Sequence, residues 1–524
     1  MAVGADNDPD EDIIMERDRA ACGDLGHWLQ QIGRDLDHFL RFEHGDAMSR
    51  AGDWRAALAR PLPEHGVGID AVSTEIGRWL IPNGSQIPNP ASSAFITTGA
   101  ATAGALATAA GAIAAPQRIG LTAFNLLEEV SLDWLAELFE LPAGMKGLYS
   151  SGGSVANLVA LGTARQAAFE AVGRDPARDG VDRPGRIFAT AASHHTIRRA
   201  AAVLGLGRDA VRLVAHDAMG RMKPAALREA LAACDDALPV AVVANAGTTN
   251  AGAIDDLAAL GAIARLHRLW FHVDGAYGLP GILDPRVRPL FRGLELADSV
   301  IVDPHKWLGA PVGIGATFVR DRALMSRAFT QTAADYLEGA CEDGDASHSM
   351  DKLGIPYADF GVELSAPCRG AVVWALLREI GREGLRERVC RHNAMARHIA
   401  ERADAHPELE VLQRPTLSIC CFRYRGDGSG DLDALNQRLH REMVRRGRAM
   451  PSTTLINGRL AIRPCFVGAR ATMAHAEQLV DEVIAIGREL VGRGDGFAQG
   501  RRARQHNIDT ALSRSAGHPT GEQR

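Results

Sequence analysis

The sequence predicts an α/β fold, a large domain built on a mostly parallel sheet with a smaller C-terminal α/β domain. Three observations lead there. From residue 147 onward short apolar runs alternate with helical stretches, the spacing of strand–helix–strand units that pair in parallel. Before that point the chain reads as helices with proline stops, and after about residue 380 a long helix leads into a second set of strands. The 524 residues suffice for more than one hydrophobic core.

Taken in chain order, "DLGHWLQQIGRDLDHFLRF" has apolar residues at helical spacing, and "GIDAVSTEIGRWLIP" and "LEEVSLDWLAELFELP" are helices closed by a proline. Between the last two, residues 81–117 carry no charge. The stretch is long enough to span a membrane, but its Ala, Gly and Thr lack the large apolar side chains of a span. It reads instead as a buried helix packed closely on another backbone. The strands "RIFAT", "VRLVA", "PVAVVANAG", "LWFHVDGAY", "DSVIVD" and "GIGATFVRD" follow, with "KPAALREALAACD" and "DDLAALGAIARLH" as helices between them. The helix "GREGLRERVCRHNAMARHIAERADAH", strands in "EVLQRPTLSICCFRYR" and "GRLAIRPCF", and the helix "TMAHAEQLVDEVIAIGREL" make the smaller domain. The expected organisation is a helical segment over 1–80, a large domain over 81–380, a small domain over 381–490, and a disordered tail over 491–524.

Composition narrows the function. Hydrophobic residues at 46% and charged residues at 23% are those of an ordinary globular protein. The net charge of -6 and the lack of a basic block argue against nucleic acid. Eight scattered cysteines without a C-x-x-C pair fit neither a zinc site nor a disulfide framework. The acidic N-terminus lacks the apolar core of a signal peptide, so a reduced, cytoplasmic protein with no membrane partner is expected.

Four motifs fall at strand ends, where α/β sheets bind ligands. "YSSGGSVANLVALGTAR" is a Gly/Ser turn running into a helix, and its backbone amides with the Ser154 hydroxyl form an anion cradle. Alone it is a common turn that binds nothing. "ASHHTIRRAA" places His194 and His195 after a strand, either as turn residues or as a ring that stacks on a flat cofactor. No acidic or cysteine cluster accompanies them, so no metal is expected. "HVDGAYG" ends an apolar strand with Asp274, read alone as a cap or turn residue or as a paired carboxylate. "VDPHKWLG" sets Lys306 between apolar runs, where burial favours the free amine that Schiff-base chemistry needs. A phosphate seat, a ring face, a partner for a pyridine nitrogen and an amine are together what pyridoxal 5'-phosphate requires.

The same residues resemble the group II pyridoxal-phosphate-dependent amino-acid decarboxylases, the family of aromatic-amino-acid, glutamate and histidine decarboxylases, over roughly residues 65 to 490. "SSGGSVANLVAL" is similar to the family's phosphate turn, "HHTIRRA" to its H-x-S-x-x-K/R-A, and "GTTNAGAIDD" to its G-T-T-x-x-G-x-x-D. "HVDGAYG" and "DPHKWL" are similar to its carboxylate and lysine motifs. The resemblance implies the type I (aspartate-aminotransferase-like) fold of pyridoxal-phosphate-dependent transferases, a homodimer, and decarboxylation of an L-amino acid to amine and CO2. It implies that Lys306 carries the cofactor, Asp274 pairs with the pyridinium nitrogen, and His194 stacks on the ring. Gly153 and Ser154 would hold the phosphate with His305 nearby, and Thr249 and Ala276 would line the ring. Counting back from Trp374 puts Tyr357 where decarboxylating members carry a loop tyrosine that protonates Cα, unless it simply packs in the hinge. The polar stretch "EGACEDGDASHSMDK" before it has the composition of a mobile lid.

Three departures bear on the reaction. Gly275 stands where the family has Ala, and Ala366-Pro367 where it has an Arg pair, although Arg369 keeps the later arginine. "NPASSAFITTGAAT" replaces the bulky residues of aromatic-specific members, so the pocket wall is differently shaped. An aromatic or other hydrophobic amino acid is the expected substrate. The alternatives on the same cofactor are an aldehyde synthase, a carbon–carbon lyase or a transaminase, and beyond them a non-catalytic pyridoxal-phosphate-binding protein.

Overall fold

The computed structural model describes residues 25–43, 51–118, 122–234, 237–330 and 355–492. The polar stretch 338–352 and, past residue 492, the expected tail lie outside the described residues. The chain divides into two compact units, Met1–Asn89 and Pro90–Arg524. In the first, the described elements are helices α1 (Leu25–Phe39), α2 (Ala51–Leu58) and α3 (Gly68–Glu75), a π-helical turn, Ile76–Leu80, and a 3-10 turn, Ile81–Asn83.

The second unit holds both sheets. Its larger, seven-stranded sheet comprises β2 (Lys146–Ser150), β3 (Gly185–Ala189), β4 (Val211–Leu213), β5 (Leu238–Asn245), β6 (Trp270–Asp274), β7 (Ser299–Val302) and β8 (Gly315–Val319). The order is β2-β8-β7-β6-β5-β3-β4. The pairs from β4 through β3, β5 and β6 to β7 are parallel, whereas β8 runs antiparallel to both β7 and β2. The mostly parallel sheet of the sequence reading is therefore present, with an antiparallel edge. All four residues of β7 are buried, as a strand covered on both faces requires. The crossover helices include α6 (Gly153–Glu170) and α9 (Leu257–Leu266), the latter capped by Asp256, whose side chain accepts from Ala259 N–H.

The smaller sheet orders its strands β1-β11-β12-β10-β9, with β1 (Ser92–Ser93), β9 (Leu409–Gln413), β10 (Cys421–Tyr424), β11 (Met450–Ile456) and β12 (Arg459–Arg463). A separate core lies over it, centred on Phe422, Leu439, Ile462 and Leu479. Gly370–Ala405, together α11, is two helices meeting at a kink at Gly381, so the helix expected from Gly381 is present with a further helical segment before it. The one non-helical residue is Gly381, at φ 64°, a left-handed conformation that glycine adopts without strain.

The uncharged stretch does form a helix, α4 (Thr102–Ala114), with α5 (Ala123–Leu138) after it. The expectation that α4 is buried needs correction. Only Gly104 and Gly111 are buried, Gly104 lying against Pro311 and Leu376, while Leu106 and Ile113 are 67% and 68% exposed. Small residues bring its inner side close to its neighbours and leave the large side chains outside. Among the described residues no helix is long and apolar enough to cross a membrane.

Candidate active site

The carboxyl ends of β3, β5, β6 and β7 and the turn after β2 open on one cleft of about 290 Å³, at the lower end of small-molecule sites. Gly153, Ser154, His194, Thr249, Asp274, Ala276, His305 and Lys306 all line it. Parallel strands deliver their following loops to the same edge, which is why motifs scattered over 150 residues of sequence meet there.

The turn after β2 depends on Gly152, at φ 117°. A Cβ there would approach His305 Cε1 to 3.2 Å, and one on Gly153 would come within 2.6 Å of Asp303 Oδ2. The bare backbone leaves the first amides of α6 open to an anion, since a helix start has no internal acceptor for them.

Asp274, at the end of β6, accepts from Asn157 Nδ2–H at 3.1 Å and from the Ala276 amide at 3.2 Å. Asn157 closes a directional network. Trp270 Nε1–H donates to Ser299 Oγ (2.8 Å), whose hydroxyl faces His272 Nδ1 (2.8 Å), and His272 Nε2 faces Asn157 Oδ1 (2.9 Å). An amide oxygen only accepts, so His272 carries its proton on Nε2. Burial pushes its pKa down to about 4, and the neutral ring persists at physiological pH. The second Asn157 Nδ2–H goes to Thr196 Oγ1, which lies 2.9 Å from His194 Nδ1. Burial first, then the neighbouring His195, lower the pKa of His194, so its ring too is neutral.

Lys306 departs from the sequence reading. Its amine is not set among apolar side chains alone: Nζ lies 2.9 Å from Oδ2 of Asp303, a carboxylate only 2% exposed. Asp303 Oδ1 is buried without a hydrogen-bond partner, and His305 Nε2 stands 3.8 Å from Oδ2 while its Nδ1–H donates to Ile314 O (2.7 Å). The apolar flanks in the sequence belong to β7 and to the buried Trp307 and Leu308. Thr249 is held through its carbonyl by Arg463, which also donates to Asn250 O.

Tyr357 is not among the residues brought to the cleft. It is buried, its hydroxyl donates to Glu129 Oε2 at 2.8 Å, and the Arg322 guanidinium lies 5.7 Å from its ring. Burial, then Glu129, hold the phenol well above its ordinary pKa. Sequence reasoning missed Asp303, Asn157 and Asp255. Asp303 had a visible signal, an acidic residue three positions before the lysine. Asp255, which accepts from the Met222 and Asn245 amides at 2.6 Å each, showed only as part of "GTTNAGAIDD".

A cleft that gathers an amine, the Asp274 carboxylate and the open amides of a glycine turn fits pyridoxal phosphate. The glycine turn that any Cβ would crowd is the observation that decides it. The chain's relatives agree. The family described as "Pyridoxal-dependent decarboxylase conserved domain" matches residues 53–425. The chain is 33% identical over 442 residues to an L-2,4-diaminobutyrate decarboxylase of Rhizobium meliloti (strain 1021), covering 82% of this chain and 84% of that one. It is 29% identical over 369 residues to an aromatic-L-amino-acid decarboxylase of Bacillus atrophaeus, covering 70% and 73%. Its fold is similar to the crystal structure of Oryza sativa TDC with PLP and tryptamine, with TM-score 0.80 and 23% identity over 89% of this chain and 98% of that one.

Proposed function

Because the chain belongs to the pyridoxal-dependent decarboxylase family, and is thus a carboxy-lyase acting on amino acids, we propose that this cleft takes an L-amino acid with an uncharged, aromatic or otherwise apolar side chain and releases its amine. The supporting observation is the cleft's charge inventory. Lys306 is the one lysine or arginine among the described lining residues, and it already faces Asp303. An acidic side chain would find no cation to pair with, whereas Ala276, Tyr277 and Val312 offer apolar surface.

Bound pyridoxal phosphate supplies the electron sink for the carbanion left when CO2 departs. The protein's part is positioning. Lys306 Nζ would carry the cofactor, Asp274 would face its ring nitrogen, and the neutral His194 ring would cover its face. The amides of Gly153 and Ser154, with His305 nearby, would hold its phosphate. Lys306 Nζ lines the cleft 2.9 Å from the Asp303 carboxylate. We therefore assign it the proton delivered to Cα, a role the sequence had placed on Tyr357. With Tyr357→Phe, CO2 and amine should form in equal amounts at near wild-type rate. Loss of amine with CO2 still released would return the proton to Tyr357.

A second reading, a diamino acid, is favoured by the Rhizobium relative and by the same lack of lining cations. Measuring CO2 release across the common amino acids and 2,4-diaminobutyrate separates the two. Turnover of aspartate or glutamate alone would refute both. We propose further that two copies pair through the exposed apolar face of α4, where Leu106 and Ile113 are 67% and 68% exposed.

A further inference from the structure

Helix α11 holds the residues that follow Lys306. Arg388 and His392 lie one turn apart on it and therefore on one face. Both are buried, His392 completely. Arg388 Nη1–H donates to the Leu308 carbonyl at 3.0 Å. Trp307 Nε1–H donates to His392 Nδ1 at 2.9 Å, and His392 Nε2 lies 3.0 Å from the Gly468 carbonyl. An indole nitrogen only donates and a carbonyl only accepts, so His392 must be neutral with its proton on Nε2. Burial first, then Arg391 and Arg388, push its pKa down to about 3, so that form persists.

Trp307 passes this restraint to the cleft. It is fully buried and stacks on Tyr277 with centroids 5.3 Å apart and planes 14° from parallel. Tyr277 lines the cleft, its hydroxyl tied to Ser418 through Oγ at 2.7 Å and the amide at 3.2 Å. The backbone of Lys306 is thus fixed on both sides. Its amide donates to Asp303 O at 2.9 Å, and the next two residues are held by α11.

We propose that His392, supported by Arg388, is a positioning residue for Lys306: by fixing the Trp307–Tyr277 stack it sets the line along which Nζ enters the cleft. The inference rests on Lys306 being the lysine that carries the cofactor. That premise is checked separately by borohydride fixation and peptide mapping, with Lys306→Ala losing the fixed cofactor. If the label falls on another lysine, the premise fails whatever His392 does.

The test compares His392→Phe, which keeps the ring and loses both hydrogen bonds, with His392→Gln, whose amide can accept from Trp307 and donate to Gly468. Cofactor capture by the apoprotein is followed by absorbance, and turnover of the reconstituted enzyme is measured where each variant is folded. For His392→Phe both capture rate and kcat should fall about 10-fold with KM unchanged, the scale of a small misplacement of a reacting group. His392→Gln should recover most of that loss. Trp307→Phe, which keeps a stacking ring but removes the donor, should reproduce the His392→Phe defect and stand in for it if that variant fails to fold. Wild-type capture and kcat in Trp307→Phe, or equal losses in the Gln and Phe variants of His392, would overturn the proposal.

Discussion

Asp303 shows how closely the site is built. Its carboxylate lies between two glycines. A Cβ on Gly153 would meet Oδ2 at 2.6 Å, and one on Gly315 would meet Oδ1 at 2.7 Å. The carboxylate that receives Lys306 therefore has no room to retreat. Gly153→Ala should push Asp303 and with it Nζ out of line, while adding a methyl group to the phosphate seat. We expect cofactor affinity to fall by at least about 10-fold, roughly 1.4 kcal/mol, by equilibrium dialysis of the apoprotein with pyridoxal phosphate. Unchanged affinity would mean that the turn does not hold the phosphate. Lys306 and Asp274 were legible because burying a charge at an apolar strand end calls for an explanation. Asn157 was not: a single amide in "GSVANLVALG" shows nothing until β6 and α6 are brought together. Tyr357 illustrates the opposite limit, since a count along the chain located the residue but not the Glu129 carboxylate that holds it.

At the scale of elements, apolar runs located the central parallel strands β5, β6 and β7 because those strands are buried on both faces. The pattern failed where burial is partial. β11 has intermediate exposure at four of its seven positions and the sequence reading passed over it, as it did two-residue β1, which exists only through its pairing with β11. The junction of α5 and α11 could not be read locally either. Glu128 on α5 is completely buried and its Oε1 accepts from the Gly370 amide at 2.9 Å, capping the start of α11 from another helix, while Oε2 has no partner. Burial raises its pKa to about 7, opposed by the Gly370 amide and by Arg118 and Arg369. The folded chain then binds a proton at this site that the unfolded chain has already released. Its contribution to stability is full below the ordinary carboxyl pKa and is lost as pH rises to about 7. Glu128→Gln keeps an oxygen for Gly370 and removes the titration. Between pH 4.5 and 7 the wild type should lose on the order of 2 kcal/mol that the variant does not, by urea unfolding at each pH. Parallel curves would show that Glu128 titrates normally.

For the whole molecule, the outer face of α4 carries the last consequence. Leu106 and Ile113 are seven residues apart, two turns of one helix face, and both stay more than 60% exposed. Phe95 and Leu126, at 60% and 62%, are exposed in the adjoining segments. Large side chains left in water at this density mark an interaction surface, and burying each fully would contribute about 2 kcal/mol. A second copy is the occupant that needs no other molecule, and a two-fold pair would present the same face from both sides. Ile113→Asp places a charge on that face without touching Gly104 or Gly111, the residues that seat α4 on its neighbours. The variant should sediment as a monomer at concentrations where the wild type is a dimer, with thermal stability of the single chain retained. A wild-type chain that is monomeric, or an Ile113→Asp chain that still pairs, would place the interface elsewhere.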